Sequence, residues 1–152
     1  MQAIAATPEL VAGELLALWR HLVAGSDRTF QCALGELDLG LTQLKALHAL
    51  DDCAGELSVK ELAGAVGLSL PSASRTVDSL LPRGYIERRE DEHDRRHKRV
   101  RLTAEGRDAV ERMHAARLVG LERFVASLPD AHRERLHAAL HPLLQDLTES
   151  RP

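Results

Sequence analysis

Aromatic residues are scarce in this chain, at 3%: one Trp, one Tyr and two Phe. A core with so few rings must be assembled from Leu, Val and Ala, a palette that favours helices, and any pocket must be lined by aliphatic and polar groups. Cysteine is nearly absent too. Cys32 and Cys53 make no disulfide framework and match no common metal spacing, so structural thiols are expected. No apolar run approaches the roughly 20 residues that span a bilayer. The opening MQAIAATPEL lacks the basic and apolar regions of a signal peptide, so a cytoplasmic protein is expected. Also missing are a nucleophile elbow, a phosphate-cradling glycine loop and an HExxH pattern. Asp51 and Asp52, adjacent at a helix end, suit a cap and a turn better than a catalytic pair, and no enzyme is expected.

What is present is concentrated between Ser58 and Thr103. Ser58 and Glu61 have the spacing of a capping box, with Leu57 and Leu62 as a staple, and Gly67 supplies a left-handed stop. A second helix starts at Ser69, with Pro71 in its first turn where a missing N–H costs nothing. Ala73, Val77, Leu80 and Leu81 face inward, while Ser72, Ser74, Arg75, Asp78 and Ser79 form a polar outer face. Small polar side chains with one long cation suit a helix inserted end-first into a major groove. Taken singly, Ser72 or Ser74 would be an ordinary solvated serine. After Arg83-Gly84, Tyr85 to Glu90 and Lys98 to Leu102 alternate as a hairpin packed on one face, around the polar tip from Glu90 to His97.

The net charge of −3 argues against nucleic acid only if it is spread evenly. Between Arg83 and Arg101, eight Lys or Arg face five Asp or Glu, a local +3 that leaves −6 for the remainder. Phosphate attraction fades within a Debye length, roughly 8 Å at physiological salt, so the local patch decides.

Outside this segment, Thr7-Pro8-Glu9 opens a helix with a broad apolar stripe through Leu10, Val11, Leu15, Leu18, Trp19, Leu22 and Val23. It continues past Gly25 to Phe30 and Leu34, with Gly25-Ser26-Asp27 able to kink it. Thr42 is expected to cap a supporting helix through Asp51, and a short strand near Leu57 to pair with the hairpin. Thr103 caps a long helix ending near Pro129, and a last helix starts at Asp130, with a kink or break from Ala138 to His141 because of Pro142. The first and the last two helices expose more apolar surface than a small lobe covers, and a second copy would bury it.

The segment from Ser58 onward resembles the DNA-binding domain of the MarR (multiple antibiotic resistance regulator) family. Ser74-Arg75, Arg83-Gly84-Tyr85-Ile86, Asp94-Arg95-Arg96 and Leu102-Thr103-Ala104-Glu105-Gly106 carry the likeness in this order and spacing. The resemblance implies a mainly α fold with a small β-wing: a winged helix-turn-helix lobe over 41–103 and a helical dimerisation lobe from 7–36 and 104–149, within a single chain of 1–152. It implies Pro71, Ser72, Ser74 and Arg75 in the major groove and Arg96 in the minor groove. Asp94 would orient the Arg96 guanidinium, and Arg95 stands beside it on the DNA-binding tip. The implied function is a homodimeric regulator on a pseudo-palindromic operator, a repressor released by a small-molecule effector, with no cofactor. Relatives that sense zinc or oxidants supply the alternative on the same scaffold, for which His48, His114, Glu36, Cys32 and Cys53 are the candidates. His137 and His141, at i and i+4 with His132 nearby, are expected to be structural or solvated and not a metal site. A winged-helix module that binds protein is a further alternative, opposed by Arg75 and the arginine-rich tip.

Overall fold

The computed structural model describes residues 6–53, 55–90 and 98–149. The elements follow in order as α1 (Pro8–Glu36), α2 (Leu41–Asp52), β1 (Leu57–Ser58), α3 (Val59–Val66), α4 (Leu70–Leu80), β2 (Ile86–Glu90), β3 (Lys98–Leu102), α5 (Ala104–Ser127) and α6 (Asp130–Glu149). The fold is mainly α with a small antiparallel sheet in the order β1-β3-β2.

Two compact units divide the chain, one made of Thr29–Ala116 and the other of Met1–Arg28 with Arg117–Pro152. The division falls inside α1 and α5 and not at their ends. The physical reason is that the last turns of α1 and the first turns of α5 belong to the core of the first unit. Phe30, Ala33 and Leu34 pack against that core, and Ala109, Val110 and Met113 are fully within it. Its remainder comes from Leu44, Leu47 and Leu50 of α2, Leu62 of α3, Val77 and Leu80 of α4, and Ile86, Val100 and Leu102 of the sheet. Apart from Met113 the buried side chains are aliphatic, and each fully buried Leu or Val contributes about 1.5–3 kcal/mol of transfer free energy.

The register explains the sheet's two faces. Ile86 lies opposite Leu102, and Leu57 and Arg88 flank Val100 from either side. That inner face closes the core. The outer face pairs Glu87 with Arg101 and Arg89 with Arg99. There Arg101 bonds to Glu87, Arg89 reaches Glu56 at 3.5 Å and Arg99 reaches Glu61 at 3.4 Å.

Several local expectations need correction. The N-cap of α2 is Gly40, not Thr42, because Gln43 Oε1 accepts the Gly40 N–H at 2.7 Å and starts the helix two residues earlier. α6 is not broken near Ala138 to His141. It runs through Pro142 as one helix, since an interior proline removes a single backbone donor and the turns on either side keep theirs. Cys32 and Cys53 are both exposed, the first on α1 and the second at the C-cap of α2, so neither is a buried structural thiol. Leu81, the C-cap of α4, does face inward as expected: it is half-buried and packs against the core.

The other unit carries the apolar surface expected of the terminal helices. Leu15, Leu16 and Trp19 on α1, Leu118 on α5, and Leu143, Leu144 and Leu147 on α6 are each more than half exposed in the single chain. No helix among the described residues is long and apolar enough to cross a membrane.

Candidate nucleic-acid interface

α3 and α4 are placed by their ends. The Ser58 hydroxyl accepts from Glu61 N at 3.2 Å while the Glu61 carboxylate accepts from Ser58 N at 2.7 Å. Gly67 closes α3 at φ 69, in the left-handed region that a side chain disfavours. Ser69 then caps α4, accepting from Ser72 N at 3.4 Å, and Pro71 occupies the first turn. Ala73, Thr76, Val77 and Leu80 are buried beneath the helix.

The opposite side of α4 holds the expected major-groove residues. Pro71 and Arg75 are exposed, and Ser72 and Ser74 are half-buried. Arg75 is already aimed: its guanidinium donates to Ser72 Oγ at 3.3 Å, and that hydroxyl also meets Ser69 Oγ at 2.9 Å. An arginine held this way loses less freedom on binding. Leu70, exposed at the first position of the helix, joins this end. Sequence reasoning passed over it because an apolar residue beside a cap is usually inward. Asp94, Arg95 and Arg96 lie outside the described residues.

The local charge excess of the wing is mostly engaged by carboxylates from other segments. Arg83 pairs with Asp38 at 2.6 Å and Arg88 with Asp78 at 2.5 Å, in addition to the outer-face pairs of Arg89, Arg99 and Arg101. Of these carboxylates only Glu87 lies between Arg83 and Arg101, so a count within that window missed the partners Asp38, Glu56, Glu61 and Asp78.

Candidate sensing residues are partly brought together. His114 Nε2 and His48 Nδ1 are 3.2 Å apart with the rings stacked, joining α5 to α2. Glu36 instead binds Arg112 at 3.0 Å. The His137 and His141 rings are 5.4 Å apart, centroid to centroid, on α6. Among the described residues no three His, Cys, Asp or Glu side chains cluster tightly enough to hold a metal ion.

A helix-turn-helix followed by a β-hairpin, with the second helix exposing its polar N-terminal end, defines a winged helix-turn-helix protein. Comparison with known proteins shows which family this part of the chain resembles. Residues 37–97 match the MarR family model. RV1404 from Mycobacterium tuberculosis is similar at 25% identity over 95% of this chain and 97% of its own, with a TM-score of 0.76. A MarR family protein from Bacillus stearothermophilus matches at 26% identity, 94% and 99% coverage and a TM-score of 0.70. A MepR variant from S. aureus, solved bound to an oligodeoxyribonucleotide, shares the fold at 24% identity, 88% and 97% coverage and a TM-score of 0.68. Residues 37–97 thus match the MarR family of DNA-binding transcription regulators, and over most of its length the chain is similar in fold to proteins of that family.

Proposed function

We propose that this regulator binds a pseudo-palindromic operator as a homodimer, represses transcription, and is released by a small-molecule effector. The observation that carries the reading is the built N-terminal end of α4, where Ser69 and Ser72 hold Arg75 outward above a buried apolar seat. Pro71, Ser72, Ser74 and Arg75 enter the major groove. Arg96, oriented by Asp94 and flanked by Arg95, enters the adjacent minor groove, where narrow walls concentrate negative potential. The exposed leucines of α1, α5 and α6 support a second copy, which gives two recognition helices for half-sites about one turn apart, roughly 34–36 Å.

Release by a ligand is a population shift and requires an effector that prefers the arrangement unable to bind DNA. A cleft of about 530 Å³ within the Thr29–Ala116 unit supports it. Leu50, Asp51, Arg101 and Arg107 are among its walls, it is large enough for a small ligand, and it borders β3, the strand that leads from the wing tip. The test is fluorescence anisotropy with duplexes that the wild-type protein selects from randomised DNA. Arg96→Ala should lower affinity at least tenfold, and undiminished binding would remove the minor-groove assignment.

A sensor of metal or oxidant is the second reading, favoured by the His48–His114 contact and the exposure of both thiols. Metal content of the purified protein, and operator binding before and after peroxide, separate the two.

A further inference from the structure

We propose that Gln43 and Ser79 are positioning residues that set the pose of the recognition helix and thereby its sequence selectivity, without touching DNA. This rests on the reading of α4 as the groove-inserted helix.

The apolar seat of α4 is made of Ala73, Val77 and Leu80, whose contacts are non-directional and leave the helix free to roll or slide slightly. Hydrogen bonds fix what packing leaves loose. Gln43 supplies one from the first turn of α2. Its Oε1 accepts from Gly40 N at 2.7 Å, and because a backbone N–H only donates, the amide nitrogen is left to face Ser79. That Nε2 donates to Ser79 Oγ at 2.9 Å, and the single Ser79 proton goes to the Thr76 carbonyl at 2.7 Å. Thr76 Oγ1 donates to the Ser72 carbonyl at 3.0 Å, and Ser72 Oγ receives Arg75. A polar chain with fixed donor and acceptor order therefore runs from Gly40 to the Arg75 guanidinium.

Three further bonds brace the same corner. Arg83 grips the carboxylate and the carbonyl of Asp38, and Tyr85 OH donates to the Leu37 carbonyl at 3.3 Å. The residues from Leu37 to Gln43, where α1 ends and α2 begins, thus hold α4 and its exit from three points. A base-reading arginine tolerates little misplacement, because bidentate geometry is lost within about 0.5 Å and 10–20° of tilt.

The experiment uses the full chain, with a duplex selected by the wild-type protein from randomised DNA and a scrambled duplex of the same length. Ser79→Ala keeps the Gly40 cap and removes the tether. Gln43→Glu keeps the oxygen for Gly40 and removes the donor. Each should lower the ratio of selected to scrambled affinity about fivefold while scrambled affinity stays within about twofold. Ser79→Thr, which retains the hydroxyl, should restore the ratio, and the double variant should be no worse than either single one. Unchanged ratios, additive losses, or parallel loss on both duplexes would overturn the proposal. If Ser79→Ala does not fold, Gln43→Glu and Ser79→Thr decide it. A wild-type protein that selects no sequence refutes the groove-reading role of α4 itself, which is a separate failure.

Discussion

Arg88, on the core-facing side of β2, meets the exposed carboxylate of Asp78 on α4 at 2.5 Å. One ion pair thus ties the wing's first strand to the outer face of the recognition helix. The pair is half open to water, with side-chain exposures of 31% and 57%, so its contribution to stability is under about 1 kcal/mol. On the proposed reading of α4 as the DNA-facing helix its larger effect is on charge, since Asp78 occupies a cation that phosphate would otherwise take.

Asp78→Ala is therefore expected to leave thermal stability nearly unchanged and to strengthen binding to scrambled DNA. With Arg88 available to one more phosphate, the slope of log affinity against log salt should steepen by about one. Anisotropy titrations across a salt series measure it, and an unaltered slope would mean Arg88 stays away from the backbone.

Arg75→Ala should cost about 1–3 kcal/mol on the selected duplex and relax base preference at the positions Arg75 reaches. Ser72→Ala removes the hydroxyl that aims Arg75 and meets Ser69 Oγ but keeps the guanidinium, so a smaller loss in the same direction is expected. The check is repeated selection from randomised DNA: an Arg75→Ala protein that recovers the wild-type motif at full strength would place base readout elsewhere.

Two glycines make opposite predictions. A Cβ at Gly106 would lie 2.0 Å from the Tyr85 carbonyl oxygen, which also accepts from Thr103 N at 3.1 Å, so backbone must move to admit it. Gly106→Ala should destabilise by at least about 2 kcal/mol. Gly64, inside α3, has open space around it, and Gly64→Ala should stabilise by up to about 1 kcal/mol through helix propensity. Urea unfolding of the two variants beside wild type measures both.

Trp19 is the sole tryptophan and is 58% exposed in the single chain. If α1 and α6 close on a second copy, its fluorescence should be blue-shifted at micromolar concentration and move to the red on dilution. Leu144→Glu should produce the red-shifted spectrum and the monomer's sedimentation coefficient at every concentration. A spectrum independent of concentration, with monomeric sedimentation of wild type, would sink the homodimer.

The parts of this fold that were readable in the sequence are those whose causes are local. Ser58 with Glu61, Gly67, Ser69 and Thr103 mark helix ends through partners three or four residues away, and each does so in the structure. The alternation of Val100 and Leu102 with arginines likewise fixed the buried face of β3. Thr42 misled because a cap is chosen by the best available bond, and Gln43 offers its bond to Gly40. The partners of Arg83, Arg88 and Arg89 were unreadable for a different reason: Asp38, Asp78 and Glu56 are brought to them by tertiary packing. Gln43 carried a signal in hindsight, as a long amide at the third position of a helix. Its second bond, to Ser79, spans 36 residues and has no local signature. The assignments of Asp94, Arg95 and Arg96 still stand on the family resemblance alone.

α6 contributes no buried residue to the single chain. In the proposed homodimer this helix would find its cover only on another molecule, so finished regulator would be scarce when synthesis is low, since pairing then rises with the square of chain concentration. On that reading a modest increase in expression would yield a disproportionate increase in operator occupancy. The abundance of the protein would thus act as an input to the switch, alongside any chemical signal.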